Sequence, residues 1–191
     1  MIDQDGHMRV NDLQVVYEPD QLSDYRRMVS SAVVSERSAV FGNGTLAHAR
    51  IVIETLFRSA RELVQLMADH QSDDIYSDPR VRDEVVDFLA RGGRMEIIRE
   101  LHHDSTNDEI FWKLVQGKSN VVIRDLPETL QKVMRYHLLI ADRKSVRVED
   151  DRELRKAIVG FNDNGLASSS IELFDSIWKR CAAPAGSLEV A

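Results

Sequence analysis

The chain has one cysteine, Cys181, in 191 residues. A lone thiol closes no internal disulfide, so a disulfide-stapled secreted scaffold is excluded and the fold must rest on its core. No apolar run exceeds a few residues, so no segment reads as a membrane span. The opening residues, MIDQDGHMRV, lack a basic n-region and an apolar h-region. No signal peptide is read there, and a cytoplasmic location is expected. Internal repeats and low-complexity segments are absent too. So is an excess of positive charge: the formal charge is −7, with a pI near 5.4. That balance disfavours wholesale electrostatic binding of nucleic acid, though a local basic patch is compatible with it. Arg143, Lys144, Arg147, Arg152, Arg155 and Lys156 are interleaved with Glu149, Asp150, Asp151 and Glu153. This mixture reads as a solvated face rather than a phosphate-binding strip.

What remains is an ordinary globular composition, 43% hydrophobic and 30% charged, in a length that builds one domain. Leu22, Tyr25, Val29, Ala32 and Val33 recur at helical spacing behind Pro19 and Asp20, predicting a helix over 20–34. Phe41-Gly42-Asn43-Gly44-Thr45 reads as a turn, with Thr45 as N-cap of a second helix to about Ser59. Leu63–Met67 is a short apolar run of buried-strand type, and 69–77 reads as a polar stretch. Asp78-Pro79 opens another helix, which Gly92-Gly93 ends. A strand over Met95–Ile98, a helix over 107–116, a strand over Val121–Ile123 and a short turn near Leu130 follow. Tyr136–Ala141 and Ser145–Val148 form a hairpin around Asp142-Arg143-Lys144. A strand over Ala157–Phe161 and a helix over Leu166–Arg180 close the domain. Helices alternating with short apolar strands predict an α/β fold, a mixed β-sheet flanked by helices.

Several stretches resemble one half of the phospholipase D-like superfamily. LAHARIVIETLFRSARELVQLM, residues 46–67, is similar to the opening helix and first strand of such domains. VRDEVVDFLARGGRMEII, residues 81–98, is similar to the next helix and strand. His137-Leu138-Leu139-Ile140-Ala141-Asp142 with Lys144–Val148 resembles the hairpin that carries the H-x-K-x-x-x-x-D signature. Phe161–Leu166 through Trp178 resembles the segment after it. The likeness spans about residues 40–182. It implies an N-terminal extension over 1–39, a phospholipase D-like domain over 40–182 and a tail over 183–191. The helix over 20–34 falls outside the likeness yet carries an apolar face, so it is expected to serve docking or dimerisation.

The resemblance implies a chemistry and also puts it in doubt. In active members the histidine attacks a phosphodiester phosphorus and the lysine holds the phosphate oxygens. If Asp142 takes the aspartate position here, His137 falls on the lysine and Arg135 on the nucleophile. If His137 is the histidine, Leu139 replaces the lysine and Lys144 the aspartate. Neither register restores the triad, and 148–151 has no Gly-Ser. The expectation is a module without a catalytic residue, His137 being the alternative nucleophile of a homodimeric phosphodiesterase or nuclease. Arg135, His137, Asp142 and His70 are then the expected ligand-binding residues. A homodimer or protein partner and a phosphate-bearing ligand are the expected contacts. Nucleic acid is a less favoured one.

Three other clusters have plain readings. His102-His103-Asp104 is a loop after a strand, since adjacent histidines diverge on regular structure and no zinc-like partner spacing exists. No metal and no cofactor are expected. Asp69-His70 follows a strand end, where α/β folds place ligands, so with His102, His103, Arg135 and His137 it makes a candidate cleft, against the plainer reading of ordinary polar loop residues. Phe111, Trp112, Phe174 and Trp178 sit on helix faces as expected core.

Overall fold

A computed structural model describes residues 22–35, 37–68, 73–100, 110–131, 136–151 and 156–181. The elements are α1 (Leu22–Val34), β1 (Ala39–Asn43), α2 (Leu46–Ser59), β2 (Leu63–Ala68), α3 (Asp73–Tyr76), α4 (Pro79–Ala90) and β3 (Arg94–Arg99). They continue as α5 (Ile110–Val115), β4 (Val121–Asp125), α6 (Glu128–Gln131), β5 (His137–Ala141), β6 (Ser145–Asp151), β7 (Lys156–Phe161) and α7 (Asn164–Trp178). The strands form one sheet in the order β1-β7-β6-β5-β2-β3-β4. β2, β3 and β4 run parallel, and every other pairing is antiparallel. Parallel neighbours need a crossover, and α4 and α5 supply it.

The six expected strands are present, and two elements were not foreseen. β1 was read as part of a turn, because Gly42 and Asn43 are weak strand formers. Pairing with β7, Ala39 opposite Phe161 through Asn43 opposite Ala157, overrides that propensity. α3 lies in a stretch read as polar; its Ile75 and Tyr76 are buried. Of the helix expected over 107–116, the part before Ile110 lies outside the described residues.

Local chemistry fixes the boundaries. The Thr45 hydroxyl accepts from the His48 amide at 3.1 Å and caps α2. Asp78 accepts from the Arg80 amide at 3.0 Å, with Pro79 at the first turn of α4. α4 stops at Gly92, whose φ of +89° an L-residue resists. At Gly93 an added Cβ would overlap the Phe88 ring. The β5–β6 turn has Asp142 and Arg143 at φ of 50° and 58°, with the Lys144 amide on the Ala141 carbonyl at 3.2 Å. Two successive left-handed residues match the twist of a tight hairpin, and aspartate tolerates the first of them.

Both sheet faces are covered. α1, α2, α4 and α5 bury one face around Ile53, Leu56, Phe57, Leu66, Ile97 and Leu139. α7, with Leu126 and Leu130, covers the other around Ile98, Leu138, Ile140, Val146, Val148 and Phe174. Phe111, Trp112 and Phe174 are core, as expected. Tyr25, Val29 and Ala32 of α1 are buried in the first of these cores. Three residues of the face expected to seek a docking partner are therefore covered by the same chain, while Leu22 is half exposed. No helix among the described residues is long and apolar enough to cross a membrane.

Candidate functional site

Side chains alternate along a strand with period two. On β6, Val146 and Val148 face α7, so Ser145, Arg147 and Glu149 face the α2 side. Register then sets their neighbours: Leu139 of β5 lies opposite Arg147, and His137 opposite Glu149. On the far side Ala157 lies opposite Glu149, and β1 brings Asn43 opposite Ala157. His137, Arg147, Glu149 and Asn43 thus share one face near one edge of the sheet. α2 and α3 cover them.

The result is a buried polar network. Arg147 is 0% exposed and His137 2%. The Arg147 guanidinium donates to Asn43 Oδ1 at 3.0 Å, lies 2.7 Å from Glu149 Oε2 and approaches His137 Nδ1 at 3.1 Å. His137 Nε2 lies 3.0 Å from the Tyr76 hydroxyl, and the two rings stack at 5.7 Å. A guanidinium has donors and no acceptor. Nδ1 must therefore accept from Arg147, which leaves the imidazole proton on Nε2. Nε2–H then donates to the Tyr76 oxygen. Arg147 is neutralised by Glu149, so the pair presents no net charge. Asn43 Oδ1 meets one further donor of the guanidinium, as an interior charge requires.

Arg147 and Glu149 are a correction to the sequence reading, which placed them on a solvated face. Alternation of Val146 and Val148 with polar residues is what a half-exposed strand looks like. Here β6 is central and covered on both faces, so the polar side is interior. Tyr76 and Asn43 were missed as well, one in a presumed loop and one in a presumed turn. Their signal is long-range register, which no local pattern carries.

Of the expected ligand-binding residues, the two described, His137 and Asp142, lie apart. His137 is in the network. Asp142 is at the other end of β5, about 17 Å away along the strand at ~3.3 Å per residue. Its carboxylate accepts from the amides of Arg61, Glu62 and Leu63 at 2.8, 2.9 and 3.0 Å and anchors the start of β2. Arg135, His70, His102, His103 and Asp104 lie outside the described residues. On the His137 edge, β3 and β4 end at an Arg99–Asp125 pair, 2.8 Å apart, with Arg99 over the Trp112 ring at 5.7 Å. Among the described residues no group of three or more His, Cys, Asp or Glu is arranged to hold a metal.

A second buried polar cluster lies on the helical layer. Glu54, 4% exposed, accepts from Arg26 at 2.7 Å and pairs with Arg58, which reaches Glu84 as well. Burial pushes the Glu54 carboxyl up, but the hydrogen bonds and charges of Arg26 and Arg58 outweigh it and hold the group below 4.5. Tyr25 stacks on His48 at 4.0 Å, which places His48 in α1–α2 packing.

No family model matches the sequence, and no curated protein matches it. Solved structures do. Nuc of Salmonella typhimurium, a phospholipase D family member, is 17% identical with a TM-score of 0.58, over 77% of this chain and 98% of that one. NucT of Helicobacter pylori is 13% identical with a TM-score of 0.59, over 77% and 98%. TrmBL2, an archaeal chromatin protein with a novel mode of DNA binding, is 14% identical with a TM-score of 0.59, over 84% of this chain and 60% of that one. The chain shares the fold of these structures, a seven-stranded mixed sheet flanked by helices.

Proposed function

We propose that this chain is a non-catalytic phospholipase D-like module that works by binding, through a protein partner or a phosphate-bearing ligand at the sheet edge where β5 begins. One observation carries the reading: both ring nitrogens of His137 are engaged inside the protein, by Arg147 and Tyr76. Attack on phosphorus needs an imidazole lone pair in an open cleft and a cation free for the phosphoryl oxygens. Here Nε2 holds the proton, the Nδ1 lone pair faces Arg147, and the cation is paired with Glu149. A misplacement of ~1 Å can cost about a hundredfold in rate. Leu139, where one register asks for a lysine, adds no charge.

A second reading, contact with nucleic acid, is favoured by the fold shared with TrmBL2, which binds DNA. Both readings are tested together. Purified protein is incubated with bis-p-nitrophenyl phosphate, single-stranded DNA and RNA, as wild type and as His137→Ala. No turnover is expected from either. Turnover by wild type that disappears in His137→Ala would falsify the non-catalytic reading. Nucleotide or DNA binding, lost in Arg135→Ala or His70→Ala, identifies the ligand class. Absence of both turnover and ligand binding leaves the protein partner.

A further inference from the structure

A groove of about 620 Å³ lies at the opposite end of β2 from the His137 edge, where α1, α2 and α4 all terminate. It is lined by Val33, Val34, Arg58, Arg61 and Arg91 with the backbone turn at Ser59 and Ala60. Three cations line it and, among the described residues, no carboxylate does. The simplest account is that these arginines serve the helix C-termini, where carbonyls gather negative potential. That account covers Arg58, which is held by Glu54 and Glu84. It covers one contact of Arg91, whose guanidinium reaches the Phe57 carbonyl at 3.4 Å. Arg61 has no side-chain hydrogen bond or ion pair among the described residues; its backbone amide is what Asp142 binds. A guanidinium offers five N–H donors. Most of those on Arg61 and Arg91 have no partner among the described residues.

Val33 packs in part against the core, which leaves Val34 as the open part of the apolar wall. Val34 is 81% exposed, the highest exposure among the exposed large hydrophobic residues. A ligand that fits brings anionic oxygens for two forked cations and an aliphatic group for Val33 and Val34, a combination that an acidic peptide supplies and a bare phosphate does not. No aromatic side chain lines the groove, so it lacks the stacking platform on which single-stranded nucleic acid relies. Guanidinium forks match carboxylates in a bidentate way.

We infer that this groove docks a short acidic peptide segment of a partner protein, with carboxylates on Arg61 and Arg91 and an aliphatic side chain on Val33 and Val34. The site goes beyond the reading of His137: it lies at the far end of β2 and β5, so its failure leaves that reading standing. The test is fluorescence anisotropy with a labelled Asp-Leu-Glu-Val-Asp-Glu peptide, its Asn/Gln counterpart and a short single-stranded oligonucleotide. Saturable binding of the acidic peptide alone is expected. Arg61→Ser with Arg91→Ser should weaken it by about tenfold or more, the scale of losing charge-assisted hydrogen bonds. Val34→Asp should weaken it through repulsion. Arg61→Ser alone, which breaks no side-chain contact within the protein, should lower affinity with an unchanged melting temperature. Absence of saturable binding up to roughly 1 mM peptide, or equal affinity of wild type and the Arg61 variant, overturns the proposal. Preference for the oligonucleotide overturns it as well, in favour of nucleic acid.

Discussion

Replacing Arg147 by methionine should unfold much of this protein's margin of stability. Arg147 is fully buried, donates to Asn43 and His137 and lies 2.7 Å from the Glu149 carboxylate. Methionine fills similar volume, so the loss is electrostatic rather than a cavity. It strips the buried carboxylate of its cation and takes a donor from two further polar groups. Removing one partner of a buried pair costs about 3–5 kcal/mol. For a domain of this size that is a fall of roughly 6–20 °C in melting temperature. Removing both charges, as Arg147→Met with Glu149→Leu, should return the protein to within about 1–2 kcal/mol of wild type, because the pair's own desolvation is relieved as well. Urea unfolding followed by circular dichroism measures both. A single variant within about 1 kcal/mol of wild type, or a double variant no better than the single, would refute the buried pairing of Arg147 with Glu149.

Other outcomes follow from the same reasoning. Asp142→Ala should cost about 1–3 kcal/mol in urea unfolding, by freeing three amides at the start of β2 and placing alanine at a φ of 50°; Asp142→Asn, which tolerates that φ, should cost less. Glu54→Gln should destabilise by about 1–2 kcal/mol near neutral pH, toward the lower end because Arg26 and Arg58 are partly exposed. Its folded carboxyl is held below 4.5, so the stabilisation is complete above that value and fades as pH falls through the folded value. The wild-type advantage in a melting series should shrink in acid and stay constant from pH 6 to 8. Gly93→Ala should cost about 1–3 kcal/mol in the same unfolding assay, because its Cβ would drive into the Phe88 ring.

The parts of the fold legible in the sequence were those written in local patterns. Leu63–Ala68, broken only by Gln65, and Leu138–Ala141 are apolar runs because both sheet faces are covered. Thr45, Asp78 and Gly92 mark helix ends through chemistry within three residues of the boundary. The likeness to phospholipase D-like domains agrees with the solved structures. Arg147 and Glu149 were illegible as interior residues, since a strand with alternating valines looks the same whether its polar side meets water or Tyr76. Asn43 was illegible because its partner is 104 residues away. Asp142 was legible as the end of a strand, yet its job is set by the backbone of residues 61–63.

The central claim is that His137 is a structural imidazole with its proton fixed on Nε2. Long-range ¹H–¹⁵N correlation spectra of the ¹⁵N-labelled protein, with His137 assigned through His137→Gln, report the ring tautomer directly. The account predicts the Nε2–H tautomer, lost when Arg147 becomes methionine. An unprotonated Nε2 in wild type would contradict it and return His137 to the role of nucleophile.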